Sequence, residues 1–432
     1  MEPMPVLLAE AASVADLGPI AHTRPAFELR CGALNLRERI DATGCASMLC
    51  AQVRDELSAL LPTVDVEPVP ASGEVLVVDA QLHGTVEALR ELLTGLEPGG
   101  RLTVDGRLAI ARVDVSQVDS LGIGSPADAP ATDRLSRFDR PWQLVPANDQ
   151  ALVDDAASLR ELGGVPRRIF GVSFRADSRR VPLLGAFDWS EAMVQMAETV
   201  GVTWIEPDRV LMAPNAVVRP GAVIDAEEGP VILGPGVVVN PLSVVVGPAY
   251  LGPGTVVNPG AKLREGTSLG AFCKVGGEIE ESIVLDLSNK QHDGFLGHAL
   301  VGSWVNLGAD TNGSDLKNNY GPVRVDLGGG AIDTGETFVG QHLADHVKTG
   351  IDTMLTTGGV VGVAGNVFGG GFVPRFVPAF GWGGPDGVVT YRLDDALETA
   401  RTAMARRDAE WTPEVESLLR HVFERTRAQR LD

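Results

Sequence analysis

Residues 233–280 read LGPGVV VNPLSV VVGPAY LGPGTV VNPGAK LREGTS LGAFCK VGGEIE. An aliphatic residue opens every unit of six: Leu233, Val239, Val245, Leu251, Val257, Leu263, Leu269 and Val275. A period of six matches neither an α-helix nor an ordinary amphipathic strand. It fits a triangular coil with one flat side per unit. The aliphatic residue points inward, and Gly, Pro or Asn supplies the corner. Three units close one turn, and successive turns stack as parallel strands roughly 4.8 Å apart. Upstream, MAPNAV, VRPGAV and IDAEEG carry the pattern from Met212 through Val218 and Ile224, ahead of a short insertion. A Gly/Pro-rich disordered linker would not hold this phase through so many units.

The phase breaks twice before the repeats end near Phe372. Glu281 to Asp293, ESIVLDLSNKQHD, interrupts the coil, which resumes from Phe295 as FLGHAL, VGSWVN and LGADTN. The second break spans Gly313 to Gly335, includes KNNYGPVRVD, and gives way to repeats around Phe338. Loops ejected from a rigid solenoid are where function concentrates, because the scaffold fixes their stems.

Outside the repeats, residues 1–200 read as a mixed α/β domain. Strands are expected at VLLAEA near the start, at Glu74–Asp79 and at Arg107–Arg112. Helices are expected over Ser47–Leu61, Thr85–Leu96 and Trp189–Val200, and Pro141–Leu162 reads as a strand or turn leading into a helix. Gly122–Pro130 reads as a surface loop. The β-helix domain is bounded at 205–385. Leu397, Ala400 and Met404, then Val415, Leu418, Leu419 and Val422, give 390–432 a helical spacing that predicts a C-terminal helical cap.

With 432 residues, two or three domains are expected. A formal net charge of −21 argues against nucleic-acid and anionic-membrane partners, whose phosphates recruit Lys/Arg patches. The four cysteines (Cys31, Cys45, Cys50 and Cys273) have neither metal-ligand nor disulfide-framework spacing, so a reducing compartment is expected. The opening MEPMPVLLAEAAS lacks the basic region of a signal peptide, and no apolar run is long enough to span a bilayer. The expectation is a cytoplasmic protein.

His292 sits in Ser288-Asn-Lys-Gln-His-Asp293, within the first break. An imidazole with an ordinary pKa near 6.5 is mostly neutral at pH 7 and can take a proton from an attacking amine. The developing oxyanion needs a donor, for which a backbone N–H at Gly308-Ala309 is a candidate. A loop histidine bonded to a carbonyl is the plainer alternative, and His298, His342 and His346 are rivals on the same grounds.

The run from His292 to Ala299, HDGFLGHA, then Trp304 to Thr311, WVNLGADT, then Asn319-Tyr320-Gly321, resembles the acetyltransferase domain of the bifunctional UDP-N-acetylglucosamine pyrophosphorylase/glucosamine-1-phosphate N-acetyltransferase family. SNKQHDGFLGH, LGADTNGSDLKNNYG and HVKTGIDTMLTTGGVVGVAGNVFGGGF resemble the GlmU-like sugar nucleotidyltransferase family, as does TRPAFELRCG from Thr23. Repeats of this class form left-handed parallel β-helices, an exception to the right-handed crossover rule. That handedness is implied by the resemblance, not by the spacing. The resemblance further implies His292 as general base and Asn306, Asn319 and Tyr320 as sugar and intermediate ligands. It implies acetyl-CoA along the coils at Gly308 and Ala309, shared within a homotrimer. The family has Tyr where Phe295 stands, and its basic sugar-binding residues fall on Asn258 and Gly276. Lys274, Lys290, Lys317 and Lys348 are therefore candidate replacement cations, each alternatively a solvated surface charge.

The N-terminal half resembles a nucleotidyltransferase domain, but Leu17-Gly-Pro-Ile-Ala-His-Thr-Arg-Pro25 stands where such domains carry a Gly-rich phosphate loop. Arg24 and Arg30 could clamp a phosphate, or pair with Glu28 instead. Asp79, at a strand end, is a candidate ligand for Mg²⁺ if this domain is active; no resident metal is otherwise expected. Three functions compete. One is an acyl-CoA-dependent N-acetyltransferase acting on an amino sugar phosphate. Another is a sugar-1-phosphate nucleotidyltransferase using UTP or dTTP, with a β-helix that only oligomerises it. The third is a non-catalytic sugar-nucleotide sensor.

Overall fold

The computed structural model describes residues 3–163, 166–175, 183–184 and 199–430. The coil is present, and its ladder runs from Thr203 to Gly384 as three parallel sheets. The first side of the prism stacks eight strands, from Thr203–Ile205 to Met354–Leu355. The second stacks nine, from Val210–Met212 to Phe376–Val377. The third starts at Val217–Val218 and is carried past Asn289–Lys290 by single bridges through Asn306 to Lys348. Where the repeat is regular the rungs lie 18 residues apart, as in Val231↔Ala249 and Ala249↔Thr267.

The aliphatic positions read from the sequence form one buried column that continues through Leu296, Leu343 and Val361 to Val377. Burying one such side chain stabilises by about 1.5–3 kcal/mol. Several corners are strained in return. Phe272, Leu287, Trp304, His346, Ala364 and Phe380 all sit at positive φ between the second and third sides. A left-handed conformation costs a non-glycine residue roughly 1–2 kcal/mol. The inward column outweighs that cost, and corner N–H groups bond the coil before, as in Leu287 N–H to Ala271 O at 2.8 Å.

The first expected break is not an ejected loop. Ile283–Val284 and Asn289–Lys290 remain rungs, paired as Ser268↔Ile283 and Lys274↔Asn289. The step there is 15 residues instead of 18, so the phase slips by shortening. The sequence hid this because Lys290 occupies the register of inward Val275. The second break is a true insertion. Leu300 pairs with His342, 42 residues on, and the extra chain carries the hairpin Arg324–Asp326/Ala331–Asp333.

The N-terminal sheet has parallel strands Ala46–Gln52, Met4–Ala9 and Glu74–Asp79, then antiparallel Arg107–Asp114 and Arg101–Val104. Helices Val86–Gly95 and Leu144–Leu162 confirm two expected segments. The helix expected over Ser47–Leu61 is instead the strand Ala46–Gln52 followed by one helical turn, Asp55–Ser58. Here the ladder overrode local spacing, because Cys50 must bury against Leu7 and Val75. The helix expected over Trp189–Val200 falls outside the described residues at 189–198.

This domain lies along the second side of the prism. The outward residues Ile232, Tyr250, Ile283, Leu300, His342 and Val360 are all buried. Leu34, Leu152 and Leu159 cover the first two, Leu17 and Ile20 the middle, and Trp142 the last. Helices Leu393–Ala405 and Pro413–Arg425 cover the corner between the second and third sides. The last coil ends in a reversal, where Gly381–Gly384 pairs antiparallel with Gly387–Thr390. No described helix is long and apolar enough to cross a membrane.

Candidate active site

His292 lies at the exposed corner between the third and first sides, not on a loop between coils. Among the described residues no side-chain partner holds its ring. Its carbonyl accepts from Lys290 Nζ at 3.1 Å. Phe295 follows on the first side, half-buried, its N–H bonded to Asn312 Oδ1 at 2.9 Å. Asn306 is exposed on the third side one coil later and accepts from Asn289 Nδ2 at 3.3 Å. Gly308 and Ala309 form the next corner below His292. The Gly308 N–H is already bonded to Thr349 Oγ1 at 2.8 Å, so it is no open oxyanion donor. A Cβ at Gly308 would strike the Gly350 carbonyl, which accounts for glycine there.

Of the candidate cations, Lys290 and Lys348 are not solvated charges. Lys290 is buried, and its ammonium is shared among the carbonyls of Gly276, His292 and Gly294 at 2.6–3.1 Å. Desolvation pushes its pKa down to about 8, against the opposing pull of Asp293, Asp310 and Glu278. Lys348 is held likewise by the carbonyls of Trp304 and His346, at 2.8 and 3.0 Å. Desolvation also pushes it down to about 8, with Asp345 opposing. Lys317 bonds the Pro322 carbonyl. A side chain at Gly276 would meet the Gln291 carbonyl at 2.5 Å, so this backbone leaves no room there for a basic side chain.

Asn319 and Tyr320 are exposed on the inserted segment, which leaves the prism at the corner between the first and second sides. Within one chain they exit at a different edge from His292. His298 occupies this second corner, and its Nδ1 lies 2.8 Å from Asp315 Oδ2. Asp315 was not singled out in the sequence. An acidic residue 17 positions after a histidine carries no local signal, and only the coil brings the two together. His342 and His346 are buried, and desolvation pushes them to about 4 and about 3. Enclosed on every side, they do not fit a base working on a substrate.

In the N-terminal domain each candidate already has a partner. Arg24 grips both carboxylate oxygens of Asp345 at 2.6 Å, across to the β-helix. Thr23 Oγ1 joins the same carboxylate at 2.7 Å. Arg30 faces Glu38 at 3.7 Å, while Glu28 pairs with Arg37 at 2.5 Å rather than with Arg24 or Arg30. Asp79 is fully buried against Arg137 at 2.8 Å. An aspartate so enclosed and neutralised does not fit a Mg²⁺ ligand. Among the described residues no group of three or more His, Cys, Asp or Glu could hold a metal ion.

Residues 6–162 match the family model described as sugar nucleotidyl transferase. A bifunctional sugar-1-phosphate nucleotidylyltransferase/acetyltransferase from Sulfurisphaera tokodaii is 29% identical over 100 residues, 23% of this chain and 25% of that protein. The bifunctional protein GlmU of Heliobacterium modesticaldum is 27% identical over 263 residues, 53% of this chain and 55% of the relative. The chain thus spans about a quarter and about half of these relatives' lengths. A Francisella novicida UDP-N-acetylglucosamine acyltransferase structure aligns with 50% of this chain and 72% of its own, at 12% identity and a TM-score of 0.24. So low a score adds nothing to the fold read from the ladder itself. Residues 6–162 thus match a sugar nucleotidyl transferase model, a parallel β-helix follows them, and the chain is similar in part to bifunctional GlmU-like proteins.

Proposed function

We propose that the chain is an acyl-CoA-dependent N-acetyltransferase acting on an amino sugar phosphate, within a bifunctional GlmU-like protein of nucleotide-sugar biosynthesis. The observation that carries this reading is the exposed edge on which His292, Phe295, Asn306, Gly308 and Ala309 fall in successive coils. The acceptor amine attacks the thioester carbonyl of acetyl-CoA. His292 takes the amine proton, the C–N bond forms, and the CoA thiolate leaves. Asn306, Asn319 and Tyr320 are the proposed sugar ligands. Lys290 and Lys348 act by fixing the corner backbone around the site.

A homotrimer belongs to this reading, because Asn319 and Tyr320 leave by a different edge from His292. A neighbouring copy would supply them. Leu242 and Ile351 on the His292 edge, each 72% exposed, are apolar surface that such a contact would cover. The test is CoA release with glucosamine-1-phosphate and other amino sugars. His292→Ala is expected to lower kcat by about 10²–10⁴-fold, the usual contribution of a general base. An unaffected rate removes His292 from the base role.

The alternative is a sugar-1-phosphate nucleotidyltransferase using UTP or dTTP, with the β-helix serving assembly. The family match over residues 6–162 favours it. The partnered state of Arg24, Arg30 and Asp79 weighs against it. Pyrophosphate release from NTP, Mg²⁺ and sugar-1-phosphate tests it, and no turnover with any of the four NTPs rejects it.

A further inference from the structure

The inserted segment joins the prism through a two-stranded stem, and its hairpin packs back on the molecule, with Val323 and Val325 buried beside Trp142 and Val360. Asp315 O accepts the Val339 N–H at 2.9 Å, and Leu316 bridges Phe338. His298 docks on both strands of this stem. Its Nδ1 meets Asp315 at 2.8 Å, and its ring stacks on Phe338 with centroids 5.0 Å apart and planes 22° from parallel. The backbone under it is equally fixed. His298 holds φ +47°, its N–H donates to Glu280 O at 3.1 Å, and its carbonyl accepts from Gly340 at 2.9 Å. A bulky residue at positive φ persists only where its surroundings over-determine it. The segment held this way carries Asn319 and Tyr320, both exposed, and Tyr320 has a left-handed backbone of its own.

We propose that His298 and Asp315 form a latch that sets the exit angle of the inserted segment, and so positions Asn319 and Tyr320 for the acceptor. The inference rests on the acetyltransferase reading for the acceptor's identity. His298 is then a positioning residue and not a second base. One ring face is covered by Phe338, and one nitrogen is committed to Asp315. Stacking and hydrogen bond together define the ring's plane and rotation, which a single contact would not.

The hydrogen bond to the Asp315 carboxylate is charge-assisted, which makes it roughly twice as strong as a neutral one. The charged groups around it are Asp315 on the stem, Glu280 and Glu281 on the coil before, Arg264 and Glu265 on the coil before that, and Asp149 on helix Leu144–Leu162.

The experiment is CoA release by the full chain with saturating acetyl-CoA and a varied amino sugar, for wild type, His298→Asn and Asp315→Asn. Asparagine tolerates positive φ, so His298→Asn keeps the corner. The expected result is an acceptor KM raised about tenfold in His298→Asn, with kcat and the acetyl-CoA KM within about threefold, as loss of uniform binding requires. Hydrogen exchange supplies a readout independent of turnover, with the Val339 and Tyr320 amides exchanging faster in both latch variants. Unchanged exchange in both variants, or a loss confined to kcat, overturns the latch. If wild type releases no CoA with any amine while exchange responds as expected, the acetyltransferase reading fails, and with it the acceptor role of the latch. Should His298→Asn not fold, Asp315→Asn carries both measurements.

Discussion

At the residue scale, Lys290 joins fold and site most directly. The sequence marked it as a candidate cation for substrate. Its inward register was hidden, because a lysine does not look like a core residue until Val275 is found beside it. Three carbonyls receive its ammonium, and burial holds its pKa at about 8. An unfolded lysine titrates near 10.4. Between those values the unfolded chain binds the proton and the folded chain does not, so stability rises with pH through that window. Wild type is therefore expected to strengthen relative to Lys290→Met by about 3 kcal/mol from pH ~8 to ~10.5, at roughly 1.4 kcal/mol per pKa unit. Denaturant unfolding at the two ends of the window measures it. A flat difference between the proteins would show that Lys290 keeps an ordinary pKa.

At the element scale, the coil was legible wherever its inward positions are aliphatic, and misread where they are not. Six-residue phase predicts the rungs from Met212 to Val275, and each of those residues is in the buried column. It misreads the shortened coil, where a step of 15 keeps the hydrogen-bond ladder while the spacing of side chains shifts. Backbone pairing is blind to side-chain identity, whereas periodicity reads only side chains. The strand Ala46–Gln52 was missed for the converse reason, since seven residues alone cannot reveal the parallel neighbour Met4–Ala9. Of the site, the His292 edge was legible because it follows the chain order of adjacent coils. The pairing of His298 with Asp315 was not, because it depends on the coil register Leu296↔Gly313, which leaves no mark in the local sequence.

At the scale of the whole molecule, the N-terminal domain is built onto the β-helix rather than tethered to it. Arg24 and Asp345 are 5% and 7% exposed in their side chains, and they meet 321 residues apart in sequence. Removing one partner of a buried ion pair costs about 3–5 kcal/mol, because the other charge stays buried. Asp345→Ala is expected to destabilise by that amount, and Arg24→Met/Asp345→Leu by clearly less. Denaturant titrations should return a coupling of at least about 1 kcal/mol, within the range seen for residues in contact. A coupling near zero would mean that the apolar contacts alone hold the domains together.

The reversal at Gly381–Gly384 has a consequence for the behaviour of the chain in concentrated solution. A stack of parallel rungs is a template, and an uncovered last rung would accept a strand from any passing chain. Here the chain folds back on itself as Gly387–Thr390, runs antiparallel, and then enters the helix Leu393–Ala405. A further parallel coil cannot continue the third side past a strand of opposite direction, so the protein carries its own stop against fibrous growth.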